Sequence, residues 1–236
     1  MSLTMPWQAL EKWLFPPTCV LTGQPALKFD LAEEHLLQLK PLKQVCAGCG
    51  VTLPTAGTER CGQCLQGKYA FDQTIAGFAY EGVMQELILQ LKFGGHLAAS
   101  RLLFELFWAL RHEELEGLEI DAVVPVPLHP KRLAERGFNQ SLELAKALAK
   151  AMEKPLLPFA VERVKNTPPQ AQLDAKARAK NLKGAFKADA QALQGTTRVL
   201  LVDDVMTTGS TLHQLAKMLK KQAKVEWVAC GVVARR

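Results

Sequence analysis

Two adjacent carboxylates followed by small hydroxyl residues form the most chemically specific stretch of the chain: Val199-Leu200-Leu201-Val202-Asp203-Asp204-Val205-Met206-Thr207-Thr208-Gly209-Ser210-Thr211. Four apolar residues in a row read as a strand buried on both faces. A buried strand does not carry two adjacent charges inside a sheet, so Asp203 and Asp204 are expected at its carboxyl end, where open α/β sheets keep their ligand crevice. The loop around Gly209 then opens into a helix. Backbone N–H groups at that helix start, with Thr and Ser hydroxyls beside them, form a cradle for a phosphate. The two acids would repel the phosphate itself but suit the hydroxyls of a sugar attached to it; a phosphorylated ribose satisfies both halves. The plainer alternative, a helix cap behind a solvated acidic turn, accounts for a lone T-x-G-S-T but not for strand, acid pair and loop in this order.

A second constellation is made of sulfur. Of six cysteines, four fall within 19 residues as Cys46-x2-Cys49 and Cys61-x2-Cys64, while Cys19 and Cys230 stand alone. Each pair has a nearby Gly (Gly48, Gly50, Gly62), which lets a tight knuckle turn two thiolates toward one tetrahedral Zn²⁺. The intervening 11 residues are long enough to return the chain. A structural zinc held by Cys46, Cys49, Cys61 and Cys64 is expected, in preference to a redox C-x-x-C, which opens a helix in a thioredoxin-like βαβ unit. With all four positions filled by thiolates, no open position is left for metal catalysis. Cys19 and Cys230 read as buried apolar residues.

These groups need a scaffold, and its pattern changes near residue 70. Before it lie five of the six cysteines and little periodicity; after it, strands and helices alternate. Val83, Met84, Leu87, Ile88 and Leu91 mark one helical face, and Leu102, Leu103, Leu106, Phe107 and Leu110 another. A strand is expected over 120–126, a helix over 138–153, a helix over 211–221 and a final strand over 225–233. Residues 163–183 are polar and basic without a period. Such alternation argues for an α/β fold, a parallel sheet with helices on both faces, over 71–236, preceded by a small Cys-rich, zinc-binding domain at 1–70.

The thirteen-residue stretch matches the phosphoribosyl pyrophosphate (PRPP) binding motif of type I phosphoribosyltransferases. Further segments resemble the ComF/GntX family of competence-associated, phosphoribosyltransferase-like proteins with an N-terminal zinc ribbon: Val124-Pro125-Val126-Pro127-Leu128-His129, Arg132, Arg136-Gly137-Phe138-Asn139-Gln140, Asn166-Thr167-Pro168-Pro169-Gln170, Arg178 and Asn181-Leu182-Lys183-Gly184-Ala185-Phe186. With the cysteines, the resemblance spans nearly the whole chain. It implies that Asp203 and Asp204 bind the ribose hydroxyls of PRPP and that Thr207, Thr208, Gly209, Ser210 and Thr211 hold its 5-phosphate. It further implies that the turn at 127–131 approaches the pyrophosphate with Mg²⁺, and that 163–183 corresponds to a hood over the site; Lys131, Arg132, Arg136 and Arg178 are the basic residues placed there. No general base follows from it. The chain departs from relatives that carry C-x-x-C at the position of Cys19, since Thr22 stands where the second cysteine would be; a second zinc site is expected to be lost.

Composition bounds the rest. The 236 residues carry 29 Lys+Arg against 23 Asp+Glu, and 48% are hydrophobic, a globular balance. No apolar run approaches the roughly 18 residues of a membrane span, and Glu11 and Lys12 interrupt the apolar start, so a cytoplasmic protein without membrane insertion is expected. Residues 131–187 hold 13 Lys/Arg and 5 Asp/Glu, a net +8 around the proposed site. His112-Glu113-Glu114-Leu115-Glu116 ends in Glu, so it is no zincin, and no P-loop occurs. The start Met1-Ser2-Leu3 carries no N-terminal Cys, so a complete glutamine amidotransferase is not expected. Two function classes stay open. One is an enzyme transferring phosphoribosyl to an acceptor with release of pyrophosphate. The other, suggested by the family's link to DNA uptake and DNA utilization, is a non-enzymatic factor that holds single-stranded DNA and meets other DNA-uptake proteins. The basic segment fits either polyanion, but Phe138, Phe159 and Phe186 are its only aromatics for base stacking.

Overall fold

A computed structural model describes residues 16–54, 57–93, 97–166, 182 and 184–236. Along the chain its elements are α1 (Glu33–Gln38), α2 (Gly62–Leu65), β1 (Gln73–Ala79), α3 (Gly82–Phe93), α4 (Leu97–Glu116), β2 (Ala122–Pro125), α5 (Pro130–Arg136), α6 (Gln140–Ala151), β3 (Val161–Arg163), β4 (Phe186–Ala188), β5 (Arg198–Met206), α7 (Ser210–Gln222) and β6 (Trp227–Arg235). Four strands form one sheet in the order β1-β6-β5-β2, every pair parallel, with Gln73 opposite Ala229, Arg198 opposite Trp227 and Ala122 opposite Val199. β3 and β4 pair separately as a short antiparallel ribbon.

Side chains alternate across a strand, and here both faces are dry. Ile75, Val123, Leu200, Val202, Ala229 and Val233 pack with the apolar stripes of α3, α4 and α6. Ala76, Val124, Val199, Leu201, Val228 and Val232 face Leu212, Leu215, Ala216 and Leu219 of α7, together with Cys46, Cys49 and Phe71. Helices therefore cover both faces, as the strand–helix alternation predicts. The stripe Val83, Met84, Leu87, Ile88 and Leu91 is the buried face of α3. Cys230 is fully buried within β6, as expected of an apolar thiol.

Three strands differ in extent from the sequence reading, for one reason. The apolar run at 199–202 covers only half of β5, because those are the residues opposite β2. Beyond Pro125, β5 continues to Met206 with β6 as its neighbour, Asp203 opposite Val232 and Met206 opposite Arg235. Apolar runs report burial, whereas a ladder needs only main-chain groups. Asp203 and Asp204 thus lie inside a strand, but past the end of β2. β2 is shorter than 120–126, and the last strand runs to Arg235 rather than 233. β1 escaped the pattern because it starts on Gln73 and Thr74 and contains Gly77. There α4 crosses closely: a Cβ on Gly77 would sit 2.8 Å from the Val233 oxygen and 2.9 Å from Phe107.

Residues 40–48 run beside β1. Leu42 N donates to Gly77 O (2.9 Å), Thr74 N to Ala47 O (2.8 Å) and Thr74 Oγ1 to Gly48 O (2.8 Å), which fastens the cysteine region to the sheet. Among the described residues no helix is long and apolar enough to cross a membrane.

Candidate functional site

The acids are held by helices from two different parts of the chain. Asn139 caps α6, its Oδ1 accepting from Ser141 N (3.1 Å) while its Nδ2 donates to Val126 O (3.0 Å), so the chain leaving β2 is tied to the helix start. That places Ser141, whose hydroxyl donates to Asp203 Oδ1 at 2.8 Å. The same oxygen accepts from Asp204 N at 3.0 Å. Asp204 is buried, its Oδ2 2.7 Å from Lys92 Nζ at the end of α3. Burial and the Asp204 charge push the Asp203 carboxyl up to about 7, against the opposing pull of Ser141, Lys92 and the Asp204 N–H. For Lys92, burial works against the cation, but Asp204 and then Asp203 more than compensate and raise its pKa.

Directly after the acids the chain turns. Gly209, at φ +73°, is the N-cap of α7. A Cβ there would lie 3.1 Å from Tyr69 Cε1 and 3.6 Å from Phe71 Cζ, so the turn is set on the stacked pair Tyr69–Phe71. Thr208 Oγ1 and Ser210 Oγ are 2.8 Å apart. Asp203, Val205, Met206, Thr207, Thr208, Gly209, Ser210 and Thr211 line a hollow of about 20 Å³. Behind it, Ala70 N donates to His213 Nδ1 at 3.0 Å, and burial, aided by Lys217, lowers the His213 pKa toward the neutral form that can accept there.

The basic residues distribute unevenly. His129 caps α5, accepting from Lys131 N at 3.2 Å; the Lys131 side chain itself is exposed. Arg136 donates to Gln140 Oε1 (2.9 Å) and lies over Phe93 at 5.8 Å from the ring centroid. Burial and Arg132 lower its pKa, while Asp204 opposes them, so Arg136 feels the Asp204 charge. Arg163, on β3, is drawn down to about 10 by burial and by Arg132, with Asp203 pulling the other way. Arg136 and Arg163 are therefore within electrostatic reach of the acids, and Arg132 of those two arginines. Arg178, Asn181, Lys183 and most of the expected hood lie outside the described residues.

Sequence reasoning missed Lys92, Ser141 and Gln140. Gln140 Nε2 is buried with no hydrogen-bond partner among the described residues. Lys92 had one signal, a lysine ending an otherwise apolar helical stripe just before Gly94-Gly95. Ser141 had none, being an ordinary first-turn residue.

The four cysteines meet. Their sulfurs all lie within 4.8 Å of one another, with Cys49 and Cys61 at 3.6 Å. Tetrahedral Zn²⁺ with bonds of about 2.3 Å separates its sulfurs by about 3.8 Å, so the set fits that ion. Gly48 is required at the first knuckle, since a Cβ there would sit 2.8 Å from Cys64 Sγ. Burial resists ionisation of Cys46, but backbone N–H groups, Cys61 N foremost (3.2 Å from its sulfur), bring its pKa down to about 7. Burial and neighbouring thiols push Cys49 and Cys64 up. A divalent metal such as zinc would offset the cost of ionising Cys49 and Cys64. Cys19 is buried as expected, yet its sulfur lies 3.6 Å from His35 Nδ1. Burial opposes its ionisation, but the Thr22 side chain and main-chain groups of Ala32, Leu21 and Thr22 bring its pKa down to about 7.

Comparison with known proteins agrees with this architecture. Residues 139–236 match the family model of the phosphoribosyl transferase domain. Competence protein F of Haemophilus influenzae is 36% identical over 182 residues, covering 75% of this chain and 78% of that one. DNA utilization protein YhgH of Escherichia coli K12 is 36% identical over 197 residues, 80% of this chain and 84% of that one. Competence protein ComFC of Bacillus subtilis is 24% identical over 225 residues, 87% and 90% of the two chains. With a parallel sheet, a clustered set of four cysteines and this extent of identity, the chain belongs to the ComF family of proteins with a phosphoribosyltransferase-type domain.

Proposed function

We propose that the protein binds PRPP together with Mg²⁺ at residues 203–211 and transfers its phosphoribosyl group to an acceptor, releasing pyrophosphate. The observation that carries this reading is the pair Asp203–Asp204, oriented by Ser141 and Lys92 and followed at once by the hydroxyl-rich turn at the start of α7. Asp203 and Asp204 accept from the ribose hydroxyls, while Thr207, Thr208, Gly209, Ser210 and Thr211 surround the 5-phosphate. Cleaving the C1–O bond leaves positive charge on the ribose and negative charge on the departing pyrophosphate. Arg136 and Arg132 are the basic groups assigned to that leaving group, and the unpartnered Gln140 amide adds a donor. Mg²⁺ bound with the pyrophosphate would neutralise its charge. The acceptor enters from an adjoining pocket of about 610 Å³ that includes Leu128, Phe138, Asn139, Phe159 and Arg163.

In this reading residues 1–70 form the zinc-ribbon-like module and 71–236 the transferase-like unit. The four clustered thiols, which must stay reduced to serve as metal ligands, support a cytoplasmic setting. The names of the relatives suggest a role in competence or DNA utilization, with single-stranded DNA or DNA-uptake proteins as partners.

Calorimetric titration of the full chain with PRPP and Mg²⁺ tests the assignment, against the double variant Asp203→Asn/Asp204→Asn checked for folding by circular dichroism. Binding by wild type and its loss in the folded double variant are expected; equal binding by both would overturn the site. A parallel titration with a short single-stranded oligonucleotide separates the other function class, for which tight oligonucleotide binding without PRPP binding is the signature.

A further inference from the structure

Arg235, the last residue of β6, joins the two chemical centres of the molecule. Its guanidinium is buried and spends its donors on main-chain oxygens: Nε on Cys49 O at 2.9 Å, and Nη1 on Met206 O at 3.2 Å and on the oxygens of Thr207 and Arg236. Cys49 belongs to the first cysteine knuckle, and Met206 and Thr207 begin the phosphate turn. Tyr69, five residues beyond Cys64, extends the connection, its hydroxyl donating to Thr208 O at 3.2 Å. Three successive carbonyls, of Met206, Thr207 and Thr208, are thus held toward the cysteine side.

That orientation has a geometric consequence. In a planar trans peptide the C=O of one residue and the N–H of the next point in opposite directions. Fixing those three carbonyls turns the N–H groups of Thr207, Thr208 and Gly209 to the opposite side, where an anion would be received. A charged donor holds a carbonyl more firmly than a neutral one. The Cys49 carbonyl that steadies Arg235 is in turn set by the knuckle, whose shape a bound metal would fix.

We propose that Arg235 and Tyr69 are positioning residues that tie the phosphate turn to the four-cysteine centre, so that metal occupancy there sets how well the turn holds a phosphate. The affinity part of this inference rests on the PRPP reading above; the mechanical coupling does not.

The test is amide hydrogen exchange on the full chain, metal-loaded and chelator-stripped, with metal content measured colorimetrically and PRPP affinity by calorimetry. Stripping wild type should speed exchange at residues 210–213, where Ser210 N and His213 N donate to Thr208 Oγ1 and Gly209 O, about tenfold, the scale of one charge-assisted hydrogen bond, and leave 199–202 unchanged. Arg235→Met at full metal content should show the same fast exchange, and stripping should then add little. Tyr69→Phe, a milder change that keeps the ring packing, should give about a threefold increase. PRPP affinity should fall about tenfold in stripped wild type and in loaded Arg235→Met, in step with the exchange.

Equal exchange at 210–213 in loaded and stripped wild type, or acceleration spread evenly over the sheet, would overturn the coupling. So would a turn that stays slow in Tyr69→Phe and in a metal-loaded Arg235→Met. If loaded wild type binds no PRPP, the functional reading fails while the exchange comparison still decides the coupling.

Discussion

Lys92 Nζ and Asp204 Oδ2 lie 2.7 Å apart, with side chains only 22% and 8% exposed. The pair bridges the end of α3 to the far half of β5 and neutralises one of the two site carboxylates from within the protein. Asp203, held by a neutral hydroxyl, is left as the acid whose charge must find a partner outside, and burial with the neighbouring Asp204 charge raises its pKa. Two adjacent carboxylates at one site are thereby made chemically unlike.

Breaking this pair leaves a carboxylate in a dry site. Lys92→Met should cost about 3 kcal/mol in urea unfolding, and adding Asp204→Asn should recover most of that loss, since the uncompensated charge is removed. A single variant as stable as wild type would show the pair to be solvated.

Asp203 predicts a specific pH dependence. Its folded pKa of about 7 stands above an unfolded value of about 3.9, so the folded state binds the proton more tightly. Stability contributed by the protonated group is then present at low pH and is lost as pH rises from about 4 through 7. Asp203→Asn keeps an acceptor for Ser141 but cannot ionise. Thermal melts at pH 5, 6.5 and 8 (chosen to span about 7) should show the variant gaining on wild type as pH increases; a constant difference would contradict the raised pKa.

Gly209 combines a left-handed φ of +73° with an approach of 3.1 Å to Tyr69. Gly209→Ala should destabilise by about 1–2 kcal/mol in urea titration and weaken PRPP binding, because both the backbone and the aromatic support must shift. Unchanged stability would mean the turn relaxes freely.

The cysteine set predicts a single bound zinc per chain. Cys46→Ser should lower the zinc content and the Tm, as should chelation of wild type, since metal binding is coupled to folding at such centres. Unchanged metal stoichiometry in the variant would remove the knuckles as ligands.

The acids, the hydroxyl turn and the cysteines were legible because each is contiguous or regularly spaced, so residue type and interval alone constrain their chemistry. The layered parallel sheet was legible from alternating apolar periods. β1 and the β3–β4 ribbon were not, since short strands with Gly, Thr or Arg carry no distinctive run. The partners of the site were hidden for a different reason: Ser141 reaches Asp203 across 62 residues, and Arg235 reaches Cys49 across 186. By itself the sequence determined which groups could do chemistry, because ligand type and spacing are local properties. Tertiary structure alone decided which acid is neutralised, which carbonyls are turned inward and how the cysteine cluster meets the hydroxyl-rich turn, because burial and charge pairing depend on residues that only folding brings together.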